Sequence, residues 1–167
     1  MKNAVHLLHA EPLTKAAFAE FGEVVEWDGA LPVHINQGFA KRVNGLADID
    51  VSANGGLVNI SLFAAEPRPA PIEISIMERH PDGTQLFYPL QDKTWLIVVC
   101  ANPGEISSYR AFAASGRQGV NYSRNVWHHP LLVHDAESRF LVVDRRGPGA
   151  NLEECWLEAA NTLELVV

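Results

Sequence analysis

From Glu23 onward, short β-branched and aromatic runs are separated by turn clusters, and this pattern constrains the fold more than any other feature of the chain. The breaks are Pro67, Pro69 and Pro71, then Pro81-Asp82-Gly83, Asn102-Pro103-Gly104, Gly116 with Gly119, Pro130, Asp135 and Gly147-Pro148-Gly149. Between them the expected strands are 24–27, 57–63, 72–80, 84–90, 94–101, 109–113, 120–128, 131–134 and 140–144. Many short strands with turn signals between them predict an all-β sandwich or barrel. Leu57 to Phe63 alternates, with Val58, Ile60 and Leu62 set against Asn59 and Ser61. Residues 94–101 are apolar on both faces and predict a strand buried on both sides.

Ahead of the strands, Leu13 to Phe21 is the clearest helix. Thr14 is a good N-cap, Leu13 can staple onto Phe18, and Gly22 is a natural stop. Residues 28–56 are polar, irregular and glycine-bearing, which suggests a functional or partner-facing loop. The tail from Leu152 could be helix or strand: residues 152–160 are helix-like, whereas Thr162 to Val167 looks like a terminal strand. The 167 residues are most simply one domain, 1–167. A net charge of −7 argues against a nucleic-acid partner, because neutralising phosphates needs a basic face. The longest strongly apolar run, Trp95 to Ala101, is too short to cross a bilayer, so no membrane partner is expected. No secretory leader is apparent. Cys100 reads as a buried small hydrophobe, and its spacing from Cys155 fits no zinc or redox pattern. A cytoplasmic location is the default expectation.

Two stretches carry the chemistry. In residues 119–131, read with period two, Val120, Tyr122, Arg124, Val126 and His128 share one face. In residues 72–80, Ile72, Ile74 and Ile76 are followed on the same face by Glu78 and His80. A single histidine at a strand end is ordinarily structural, but an imidazole and a carboxylate continuing an apolar face together suit a divalent ion. Glu78, His80, Gln85 and His128 have the sequence layout of a cupin metal site. In that layout the first motif offers His-x-His with a Glu five residues on, and the second a single His; here Glu78 and Gln85 stand at two of those positions. Arg124, placed inward, needs an anion, either Asp144, Glu78 or a substrate carboxylate. Alternation sends His129 outward, to the surface or to packing.

The segments 12–25, His34-Ile35-Asn36, 78–85, 119–131 and Asp144-Arg145 together resemble the ureidoglycolate lyase family of allantoin degradation, over nearly the whole length. At position 123 some relatives are expected to have histidine where this chain has Ser123. The resemblance implies an all-β, cupin-like β-barrel (double-stranded β-helix) with a short N-terminal helix. It implies a homodimer, a divalent metal with nickel as the ion, and cleavage of (S)-ureidoglycolate to glyoxylate and urea. His80, His128 and Glu78 are then the catalytic candidates, and Arg124, Tyr122, Asn36 and Asp144 the substrate-binding ones. Two other readings stand beside it: a non-catalytic cupin that binds a small carboxylated ligand, and a metal-dependent enzyme of different chemistry on the same barrel.

Overall fold

The computed structural model describes residues 5–167. In chain order its strands are β1 (His6–Pro12), β2 (Gly22–Glu26), β3 (Val33–Ile35), β4 (Ala40–Arg42), β5 (Leu57–Ala65), β6 (Ile72–Ile74), β7 (Ile76–Arg79) and β8 (Gln85–Pro89). There follow β9 (Trp95–Cys100), β10 (Tyr109–Ala114), β11 (Gln118–Tyr122), β12 (Trp127–His128), β13 (Ser138–Arg146), β14 (Glu153–Trp156) and β15 (Leu163–Val166). The expected all-β architecture with a short N-terminal helix is what the chain forms. The helix α1 is shorter than predicted, Lys15–Phe18, although Thr14 caps it as expected: its hydroxyl accepts from the Ala17 N–H at 3.1 Å. At Gly22 the backbone comes so close to β11 that a Cβ would lie 2.0 Å from the Asn121 carbonyl oxygen, so only glycine fits.

An eight-stranded sheet runs β14-β7-β12-β9-β10-β1-β15-β6, and a five-stranded sheet runs β2-β11-β8-β13-β5. β6 and β7 lie near opposite ends of the larger sheet, yet only Ser75 separates them in the chain. One intervening residue spans at most roughly 7 Å. The larger sheet must therefore curl until its ends nearly meet, which makes it a half-barrel.

That curl creates two cores, and β9 lies between them. All six of its residues are buried, as the sequence predicts. Trp95, Ile97 and Val99 pack between the two sheets with Phe18, Phe112 and Phe140. Leu96, Val98 and Cys100 pack inside the curl with Ile74, Met77 and Leu132. A strand with no solvent face tolerates no polar residue, which accounts for its unbroken apolar sequence.

One expectation is corrected. Residues 72–80 are two strands, not one, and the break at Ser75 changes the phase. Met77, not Ile76, continues into the core with Ile72 and Ile74, and Glu78 points to the opposite face. The apolar members of β5 face outward: Ile60 is 69% and Leu62 71% exposed. The tail forms β14, a 3-10 turn at Ala159–Asn161 and β15, so its helix-like start is a strand. Cys100 and Cys155 are both free thiols. No helix among the described residues is long and apolar enough to cross a membrane.

Candidate functional site

The site lies between the two sheets at one end, and each sheet contributes a row of side chains to it. On the larger sheet Glu78 and His128 are direct partners in the β7–β12 register. Cross-strand partners share a face, so the pairing itself brings carboxylate and imidazole together. His80 follows β7, and its ring centroid is 5.3 Å from that of His128. On the smaller sheet Tyr122 is the register partner of Gln85, and Asp144 that of Asn59. The pairing of Val143 with Leu86 sets Asp144 beside Gln85. Tyr122, Gln85, Asp144 and Asn59 therefore form one polar row across four strands, on the same face as buried Val120, Phe87 and Val142.

The hydrogen bonds assign the imidazole tautomers. His80 Nδ1 lies 2.7 Å from the Asn151 carbonyl oxygen, and His128 Nδ1 lies 2.9 Å from that of Val126. A carbonyl only accepts, so each Nδ1 carries the proton and each neutral ring presents a bare Nε2 lone pair. Those two Nε2 atoms lie 3.1 and 3.2 Å from the same atom, Gln85 Oε1, which is also an acceptor. Glu78 Oε1 is 3.4 Å from His128 Nε2 and 3.9 Å from His80 Nε2. Acceptors packed this closely are held together either by a cation or by extra protons on the rings.

As a metal site the donor set fits. One ligand atom each from Glu78, His80 and His128 lies within 4.8 Å of the others, and two imidazole nitrogens with a carboxylate suit a first-row divalent ion. Both rings are oriented by backbone carbonyls behind them, as metal-binding histidines commonly are. Burial works against ionisation of Glu78, but when the rings take up a second proton the hydrogen bond and charge of His128 and the charge of His80 outweigh it. They hold the Glu78 carboxyl below its ordinary value.

Arg124 is corrected. The predicted strand 120–128 breaks after Tyr122: β11 and β12 belong to different sheets, joined by a turn in which Asn125 adopts φ 64°. The turn carries Arg124 outward, where it donates to the Pro81 carbonyl oxygen at 3.0 and 3.1 Å and to Asp50 at 3.4 Å. It therefore does not share the inward face of His128. His129 takes the packing alternative. It does point away from His128, but it is only 3% exposed, because β12 belongs to a sheet covered on both faces. Burial pushes its imidazole down to about 4, against the opposing pull of the Pro130 carbonyl. Asn36 lies on the β3–β4 hairpin, a separate two-stranded sheet, in a left-handed conformation with φ 51°. Tyr122 stacks on His128, and Asp144 accepts from Asn59 at 2.8 Å and from Gln85 at 3.5 Å.

Three contributors have no counterpart in the sequence expectations: Asn59, Asn151 and the Val126 carbonyl. Asn59 carried a signal, a polar residue in an otherwise apolar alternating run. The other two act through backbone oxygens, which no residue type advertises. Arg145 is a structural tie. It is 8% exposed and donates to the carbonyls of Ala53, Asn54 and Pro148, tying the end of the long loop to β13.

The sequence model of the family described as "Ureidoglycolate lyase" matches residues 5–164. "Ureidoglycolate lyase 1" of Rhizobium meliloti (strain 1021) is 51% identical over 150 residues, 89% of this chain and 88% of that protein. "Ureidoglycolate lyase" of Burkholderia cepacia is 49% identical over 160 residues, 95% of this chain and 90% of that protein. Among solved structures, a 3,4-ketoisomerase from Helicobacter canadensis aligns with TM-score 0.45 and 12% identity, covering 76% of this chain and 84% of that one. The chain therefore belongs to the ureidoglycolate lyase family.

Proposed function

We propose that this chain is a ureidoglycolate lyase that cleaves (S)-ureidoglycolate to glyoxylate and urea, with Glu78, His80 and His128 at the reacting centre. The observation that carries the reading is the convergence of these three groups with Gln85 in a chain of this family. The substrate is a carbinolamide. A base removes the proton of its hydroxyl, the oxygen electrons close to a carbonyl, and the C–N bond breaks. The pair left on the urea nitrogen takes a proton from an acid, so atoms and charge balance. His80 and His128 supply the base and the acid, since a bare Nε2 accepts a proton and the protonated ring returns one. Glu78, kept ionised beside them, stabilises the imidazolium in between.

Alternatively Glu78, His80, His128 and Gln85 would hold a divalent ion, nickel by the family resemblance, and the two Nε2 lone pairs would then serve as ligands in place of base and acid. When bound, that ion supplies Lewis acidity to the substrate oxygens and lowers the hydroxyl pKa. The homodimer implied by the resemblance is supported by the exposed apolar face of the edge strand β5, around Ile60 and Leu62, and gel filtration tests it.

The test is incubation with racemic ureidoglycolate, measuring glyoxylate, urea and ammonia separately, before and after chelation and re-addition of nickel. Equal glyoxylate and urea without ammonia, lost on chelation and restored by nickel, is the expected result. Products that survive chelation would keep the lyase and remove the metal. No product under any condition would contradict the reading and leave a ligand-binding protein in its place.

A further inference from the structure

We propose that Asp144, held by Asn59, decides which end of the Gln85 amide faces the two histidines. This rests on the reading of Glu78, His80 and His128 as a cation site and adds a positioning residue to it. A glutamine amide has two ends of nearly equal size and opposite character, one an acceptor and one a double donor. Turned with its NH₂ inward, Gln85 would donate to both Nε2 lone pairs and satisfy the cluster without any cation. Turned with its oxygen inward, it offers a lone pair to the point where Glu78, His80 and His128 converge. The distances of 3.1 and 3.2 Å to the two Nε2 atoms are made by the oxygen.

Behind Gln85 stands Asp144, whose ionised carboxylate only accepts. Asn59 Nδ2 donates to Asp144 Oδ1 at 2.8 Å, which leaves Oδ2 to receive the Gln85 NH₂ at 3.5 Å. With the amide reversed, the Gln85 carbonyl would face that carboxylate, acceptor against acceptor, in a half-buried site. The carboxylate thus opposes the orientation in which the histidines are capped. Asn59 and Asp144 are register partners, so the arrangement is set by two neighbouring strands and not by a mobile loop.

The test is titration of metal-free protein with Co²⁺, followed by the visible absorption of the bound ion, with Ni²⁺ in competition. Asp144→Asn presents an amide that donates as readily as it accepts, and so no longer selects an orientation. It is expected to weaken binding roughly 10–100-fold, the usual cost of losing an outer-shell partner. Gln85→Glu offers an oxygen at either end but sets a carboxylate against Asp144, so adding Asp144→Asn to Gln85→Glu supplies a donor there and is expected to leave affinity equal to or tighter than in Gln85→Glu alone. Circular dichroism and melting establish that each variant is folded. If Asp144→Asn does not fold, Asn59→Ala carries the same comparison, with the same direction expected. An Asp144→Asn protein that binds Co²⁺ as tightly as the unaltered chain overturns the orientation role alone, as does an equal loss in the Gln85→Glu background. An unaltered chain that binds neither ion overturns the cation site itself, and this role with it.

Discussion

Tyr122 lies flat on His128, with ring centroids 4.1 Å apart and planes 12° from parallel. The contact joins the two sheets, since Tyr122 ends β11 and His128 ends β12. It also joins the core to the site: Tyr122 packs with Phe18 and Phe87, so the imidazole is braced by the same aromatic cluster that fills the space between the sheets. Burial, with the charge of Glu78 added, raises the Tyr122 phenol well above its ordinary range, so the ring remains neutral.

Replacing that ring separates packing from chemistry. Tyr122→Phe keeps the stack and is expected to leave urea-denaturation stability within about 1.5 kcal/mol of the unaltered protein. Tyr122→Ala removes a buried aromatic and is expected to cost about 3–5 kcal/mol. If the two variants melt alike, the stack does not brace the site.

The pH dependence of stability falls in two windows. His129 titrates at about 4 when folded and near 6.5 when unfolded, so between those values the unfolded chain binds a proton that the folded chain refuses. Stability contributed by the neutral ring is complete above pH 6.5 and is lost as pH falls toward 4. The loss is at most about 1.4 kcal/mol per pH unit. Glu78 has the same sign but acts lower. Its carboxyl is held below the ordinary value of 4.5, so its contribution is present above that pH and lost as the pH falls through its folded value. Urea denaturation of metal-free protein between pH 7 and 4.5 should show a slope that His129→Gln flattens. An unchanged slope would place the acid sensitivity elsewhere.

The two thiols should differ sharply in reactivity. Cys100 is 2% exposed in the core inside the curl, and burial pushes its thiol up to about 12. Cys155, on the strand that edges the same sheet, is half-buried. Iodoacetamide at pH 8 is expected to modify Cys155 in the native protein and Cys100 only after denaturation, because the thiolate is the nucleophile. Equal labelling rates, read by mass spectrometry of the peptides, would show that β9 is not closed on both faces.

The all-β class, the buried β9 and the cluster residues Glu78, His80, Gln85 and His128 are legible in the sequence, because alternation and turn chemistry are local signals. Two failures share one cause. Arg124 was placed by extending an alternation through a turn, and the isoleucine face by extending one through Ser75. Period two holds only while the strand continues, and neither break carries a glycine or proline to announce it. Alternation leaves open whether His129 packs or meets water, because which faces of a sheet are covered depends on the curl of the whole sheet, a tertiary property. Asn59 was visible as a polar interruption, but its partner Asp144 is 85 residues away.

The most direct test of the site is the turnover of ureidoglycolate by His128→Ala and His80→Ala, each shown by circular dichroism to be folded. General acid–base catalysis contributes roughly 10²–10⁴-fold, so a fall in kcat of that order is expected for each. Near-normal turnover in both would contradict the assignment of the chemistry to Glu78, His80 and His128.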